Sequence, residues 1–256
     1  MQYSAEINLS LTKARAPGPG GRYSARMFVG IATRRKTAVR WANPLLFAAM
    51  WLAYLWSATR PADRRHGAEL DWGALSGGLD SLQAWRDAFA DGSVLRLFSA
   101  LFLHADWSHL LGNLVFLLIF GLPAERVMGG WRVLLLFLLG GAVANLAAVL
   151  AIDSPDRIII GASGAVSALI GAYLALFPGA RLGVVLPLGL FLEFVRVPAF
   201  LLIGLWALLQ VVFAYSGPAL GAVAWPAHIA GFLFGVVFAL LARASIARRL
   251  RRKRGY

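Results

Sequence analysis

Three short stretches of this chain carry residue types able to do acyl-transfer chemistry. Gly161-Ala162-Ser163-Gly164-Ala165 sets a serine hydroxyl among small residues, at the start of an apolar segment that runs to Phe177. Ala227-His228-Ile229-Ala230-Gly231, with Gly235 beyond it, supplies a histidine. The stretch from His104 to Asn113 supplies side-chain donors, with His109 and Asn113 four residues apart. A nucleophile, a base and converging hydrogen-bond donors are what an acyl-transfer site requires.

Each piece also has a plainer reading. Serine among glycines and alanines is common where membrane helices pack closely. Only the pieces together point to catalysis. A histidine inside an apolar span is costly and is usually paired or functional. Gly231 and Gly235 follow His228 at i+3 and i+7 and share its helical face. Gly161, Gly164, Ala168 and Gly171 give the serine segment a matching small face. Two such faces can approach until a His228 nitrogen reaches the Ser163 hydroxyl, as a general base must. His109 and Asn113, at i and i+4, share one face. With the Ser163 backbone N–H at a helix N-terminus they form a candidate oxyanion hole, and capping or bonding a nearby loop is the alternative. No acid stands out as a third member. Asp153 and Asp156 precede Ser163 but read as solvent-facing, so the expectation is a Ser–His dyad. His104 and His109, at i and i+5, are poorly spaced for one metal ion. The chain has no cysteine and no H-E-x-x-H pattern, and no metal or cofactor is expected.

The elements that position these residues are membrane spans. Of the 256 residues 59% are hydrophobic and only 14% charged, with mean hydropathy +0.69. This describes an all-α polytopic membrane protein. Apolar runs suggest six spans, near 41–58, 108–127, 133–152, 161–177, 198–215 and 225–242. The first is read as a span, with a cleaved signal peptide as the competing reading. Residues 59–95 form a long polar loop with short interfacial helices. Residues 182–194 are apolar but broken by Pro187, Gly189 and Glu193, which suggests an interfacial or re-entrant piece. The domain runs over 41–243, between basic tails at 1–40 and 244–256.

Fifteen of the 25 basic residues lie in residues 1–40 and 243–256. Nucleic acid or anionic lipid could attract them. The simpler account is that positive charge marks the cytoplasmic side of a membrane protein, and no nucleic-acid partner is expected. Six spans then leave both termini cytoplasmic. His109, Ser163 and His228 begin spans two, four and six, so topology gathers them at one depth below the outer surface.

On these residues the chain resembles the rhomboid intramembrane serine proteases. The likeness covers about 41–243. It rests on Gly161-x-Ser163-Gly164, Ala227-His228-x-x-Gly231-x-x-x-Gly235, His104 with His109-x-x-x-Asn113, and Gly121-x-x-x-Glu125-x-x-x-Gly129. It implies a six-helix bundle around a water-filled cavity, with Ser163 as nucleophile and His228 as base. His109, Asn113 and the Ser163 amide would form the oxyanion hole, and His104 would be a supporting polar residue. Glu125 would bond the inner helix ends, and span five would gate substrate entry. The implied substrates are transmembrane proteins with helix-weak segments, cut in or next to their transmembrane segments, and the Ala/Arg/Leu-rich composition suggests a bacterial inner membrane. Two positions depart from the pattern. Ser167 stands where some members carry a tyrosine stacked on the histidine, and Leu95-Arg96 replaces a Trp-Arg pair. The rival readings are a catalytically silent rhomboid-like client binder and a transporter.

Overall fold

The computed structural model describes residues 40–77, 79, 81–152, 157–188, 191–216 and 225–254. Its helices are α1 (Ala42–Ala58), α2 (Ala62–Trp72), α3 (Leu82–Ala90), α4 (Arg96–Ser99), α5 (Trp107–Phe116), α6 (Leu122–Met128), α7 (Gly130–Ala151), α8 (Ser163–Leu176), α9 (Ala199–Ser216) and α10 (Trp225–Arg254). A π-helical turn, Leu117–Gly121, joins α5 to α6 into one rod from Trp107 to Met128. The six expected apolar helices are α1, this rod, α7, α8, α9 and α10. Three of them, Trp107–Met128, Gly130–Ala151 and Trp225–Arg252, are long and apolar enough to cross a membrane.

The bundle is apolar outside as well as inside. Leu241 is 81% exposed and Leu52 66%, and Leu135, Leu205 and Leu233 are also exposed. Such side chains suit a lipid solvent rather than water. The chain is an integral membrane protein with an all-α bundle.

At the centre is α8. Every residue from Gly164 to Tyr173 is buried, and its closest packing is against α10 and α7. The contact is backbone to backbone. A Cβ on Gly231 would collide with the Gly164 carbonyl oxygen, and one on Gly235 with the Ala168 carbonyl oxygen. A Cβ on Gly164 would strike the Ala144 methyl of α7. Without a hydrophobic drive between helices in lipid, such close packing is the main attraction available. The 14 residues of α8 rise about 21 Å, against roughly 30 Å of hydrocarbon. The helix therefore cannot reach both surfaces. Irregular backbone leads into its N-terminus, which is tolerated at depth where it is enclosed by protein.

That entry segment is pinned from three directions. Strand β1 (Ala74–Leu75) pairs antiparallel with β2 (Ile158–Ile159). The Ser76 N–H donates to the Arg157 carbonyl at 3.0 Å. The Gly161 N–H donates to the Ala100 carbonyl at 2.8 Å. Asn145 of α7 donates to the Leu97 carbonyl at 2.8 Å and so anchors α4.

Residues 182–188 and 191–194, expected as an interfacial or re-entrant piece, form most of an antiparallel hairpin of β3 (Arg181–Leu188) and β4 (Phe191–Pro198), registered from Arg181 opposite Pro198 to Leu188 opposite Phe191. The β-branched and aromatic run Val184, Val185, Phe191, Phe194, Val195 and Val197 favours strands. The basic stretch from 244 is helical through Arg254, as a continuation of α10. Its Ala, Arg and Leu residues are strong helix formers, and Ile246 packs into the core at 3% exposure.

Candidate active site

Three helix N-termini converge on one place. The first is that of α5. Asp106 caps it by accepting the His109 N–H at 2.9 Å. Hydrogen bonds from the Ser108 hydroxyl and this amide hold the Asp106 carboxyl below the usual carboxylate range. The cap sets the first turn of α5, so His109 and Asn113 face inward along the same side.

The second is α8, which begins at Ser163 itself. Gly161 has φ +114°, a conformation that side-chain-bearing residues seldom adopt. A Cβ there would also stand 2.6 Å from His109 Cε1 and Nε2. Gly161 is thus required twice, for the turn into α8 and for the His109 ring laid against it. The Ser167 hydroxyl donates to the Ser163 carbonyl at 2.7 Å, one helical turn back.

The third is α10. His228 Nε2 lies 2.8 Å from Ser163 Oγ. Its other nitrogen, Nδ1, lies 2.6 Å from Gln210 Oε1 of α9. An amide oxygen only accepts, so Nδ1 carries the proton and Nε2 presents its lone pair to the serine hydroxyl. The Trp225 ring meets the imidazole edge-on at 5.8 Å, and Trp206 lies tilted at 6.5 Å. These contacts fix the imidazole, while the Ser167 hydroxyl is bonded to the Ser163 carbonyl.

Ser163, His109 and His228 stand between two cavities. One, of about 300 Å3, is bounded also by Asn113, Val166, Ile170, Trp206 and Gln210. The other, of about 460 Å3, is more polar and is bounded by Glu69, Asp106, Asn145 and Arg157. Asn113 is 6% exposed, and its Nδ2 has no hydrogen-bond partner among the described residues. A buried amide left unpaired is costly, so this donor is available to a group arriving in the cavity. Serine with an acceptor nitrogen on its hydroxyl, beside spare donors and a helix N-terminus, can attack a carbonyl and hold the oxyanion that forms.

The remaining candidates sit further off. His104 packs edge-on against His109 with ring centroids 5.1 Å apart, and it lines neither cavity. Its Nδ1 bonds the Phe102 carbonyl at 3.1 Å. Burial, with the neighbouring His109 charge, pushes its pKa down to about 4. Gly164, Gly231 and Gly235 form the α8–α10 contact. Glu125 is at the opposite end of the bundle. Its carboxylate accepts the N–H groups of Trp41, Ala42 and Asn43 at 2.8, 2.9 and 3.1 Å, so it caps α1 across more than 80 residues of chain. Asp153 and Asp156 lie outside the described residues.

Sequence reasoning missed Gln210. Its signal was present: it is the sole amide in the apolar run Leu201–Val212, and a lone polar group inside a span asks for a partner.

Fold and site together define a polytopic α-helical membrane protein with a half-buried, hydrogen-bonded serine–histidine pair. The model of the Rhomboid domain matches residues 91–245, and the chain belongs to the rhomboid family. It is 33% identical over 152 residues to Rhomboid-related protein 2 of Mus musculus, covering 55% of this chain and 45% of that one. It is 34% identical over 101 residues to the putative rhomboid protease YdcA of Bacillus subtilis, covering 37% and 50%. Rhomboid-like protein 11, chloroplastic, of Arabidopsis thaliana is 35% identical over 147 residues, covering 56% and 50%. The matches span about half the length of these relatives.

Proposed function

We propose that this rhomboid is an intramembrane serine endopeptidase, acting on a transmembrane or juxtamembrane segment of another membrane protein. The observation that carries the proposal is the 2.8 Å hydrogen bond from Ser163 Oγ to His228 Nε2, with Nδ1 held by Gln210.

Ser163 Oγ attacks the carbonyl carbon while its proton passes to His228 Nε2. The oxyanion takes hydrogen bonds from His109, Asn113 Nδ2 and the Ser163 N–H, aided by the positive N-terminus of α8. His228 then delivers the proton to the leaving amine, and the C–N bond breaks. A water deprotonated by the same nitrogen hydrolyses the acyl-serine and restores the hydroxyl. Gln210 keeps the imidazole in the tautomer that can accept. A substrate helix must unwind locally to present its carbonyl, which favours segments weak in helix propensity.

The test is cleavage of a transmembrane substrate in proteoliposomes, with fluorophosphonate labelling of the same samples. The intact protein should cut and label, and Ser163→Ala should do neither. A protein that binds the substrate, takes no label and leaves it whole would be a silent client binder instead.

A further inference from the structure

At the end of the bundle away from the serine, Arg132, Ser245, Arg248, Arg249 and Arg252 line an open cavity of about 660 Å3. Four guanidinium groups border it and no carboxylate does. Arg132 is in the first turn of α7. The others follow along α10 at i, i+3, i+4 and i+7, on one side of the helix. The proposed reaction uses none of them.

Two of the four are positioned by backbone. Arg132 Nη1 donates to the Met128 carbonyl at 3.0 Å. Arg249 Nη1 donates to the Val127 carbonyl at 3.1 Å and the Arg126 carbonyl at 3.3 Å. Each guanidinium has five N–H donors, so most remain available. The ion pairs among the described residues are Arg65–Glu69 and His66–Glu69, so no carboxylate neutralises this group. Like charges around one space repel, and an anion between them removes the repulsion.

The depth and the surroundings identify the anion. Met128 ends one membrane span, and Arg132 lies just inside the next. Trp131, 70% exposed, packs edge-on with Trp41 at 4.9 Å beside Arg132, and such rings mark the headgroup level of a bilayer. Leu135, one turn from Arg132, and Leu241, one turn from Ser245, are both exposed. Polar donors at headgroup depth therefore continue directly into apolar surface. A free phosphate would use only the first half of that arrangement, whereas a phospholipid uses both.

We propose that this cavity binds the phosphate of one acidic phospholipid, of the phosphatidylglycerol type. The guanidinium forks hold the phosphate oxygens, the Ser245 hydroxyl donating instead to the Ala242 carbonyl at 2.8 Å, and the acyl chains lie along Leu135 and Leu241. Bound lipid would then clamp α10 to the junction of α6 and α7.

Native mass spectrometry of the full chain in non-ionic detergent tests this. Phosphatidylglycerol and phosphatidylcholine serve as probes. Arg248 and Arg252 make no protein hydrogen bond or ion pair among the described residues, so Arg248→Gln/Arg252→Gln should leave the fold intact. The intact protein should retain one phosphatidylglycerol at least about tenfold more tightly than phosphatidylcholine, and the double variant should lose that preference. Arg243→Gln/Arg251→Gln removes the same charge from the same helix, off the cavity, and should keep it. An equal fall in both variants would mean a diffuse basic surface and overturn the site. Displacement of the lipid by submillimolar inorganic phosphate would show a soluble-anion site and overturn the lipid assignment.

Discussion

In the proposed reaction Asn113 and Gln210 have different roles, and their substitutions should separate them. Asn113 Nδ2 is an unpaired buried donor beside the nucleophile. Asn113→Ala should lower kcat by about 10²-fold with little change in KM, since one oxyanion donor acts mainly in the transition state. Gln210 hydrogen-bonds the proposed base. Gln210→Leu removes the acceptor that holds Nδ1–H, so both imidazole tautomers become populated. It should slow fluorophosphonate labelling of Ser163 and substrate cleavage in parallel, by roughly tenfold. Equal labelling rates in the variant and the intact protein would show that Trp206 and Trp225 orient the ring alone. His104 gives a pH prediction of a different kind. Its pKa in the folded protein is about 4, below the usual value near 6.5. The unfolded chain then binds the extra proton first, so the fold should lose stability as pH falls from about 6.5 to about 4. Thermal unfolding in detergent across that window should show the slope, and His104→Gln should make it shallower.

Among the elements, α1 and α10 are held by contacts that lie far apart in the chain. The Glu125 carboxylate satisfies three N–H groups at the start of α1 and also takes Asn43 Nδ2 at 2.6 Å. Glu125→Ala would leave buried donors unpaired at a cost of about 3 kcal/mol, and should lower the unfolding midpoint by roughly 6–12 °C. It should not change which residue the fluorophosphonate labels. Gly235→Leu tests the other side. It pushes α10 from the Ala168 carbonyl of α8 and with it carries His228 from Ser163. Both the midpoint and labelling should fall. These elements were unevenly legible. Gly231 and Gly235 announce a close helix contact by their spacing alone. The β3–β4 hairpin was hidden, because a short apolar run broken by proline and glycine has no period that distinguishes strand from interfacial helix. The end of α10 was hidden because a run of arginines reads as a solvated tail. Ile246 and Leu250, buried or half-buried against the bundle, and the Arg249 hydrogen bonds to the Arg126 and Val127 carbonyls tie it down. Glu125 could be expected to bond helix ends, but no local pattern names Trp41, Ala42 and Asn43 as its partners.

For the whole molecule, the meeting of Ser163, His228, His109 and Asn113 at one cavity was readable because it follows from direction. Each group lies near the start of a span, and alternate spans run the same way. Gln210 escaped because it stands deep within an oppositely directed span, where counting from span starts does not reach. The same reasoning sets the orientation. The arginine-rich end of α10 and the serine–histidine pair lie at opposite ends of the bundle. If positive charge keeps its end in the cytoplasm, the proposed peptidase site opens to the outside, and cleavage should release the outer part of a substrate. The chain has no cysteine, so a single introduced thiol is a clean reporter. Gln83, exposed in the segment between α1 and α5, marks the serine face. In intact spheroplasts of a bacterial host, Gln83→Cys should react with an impermeant maleimide, and Tyr256→Cys should react only after permeabilisation. The reverse pattern would place the serine face in the cytoplasm. The substrates would then have to be sought among segments exposed on that side, although the chemistry assigned to Ser163 and His228 would be unchanged.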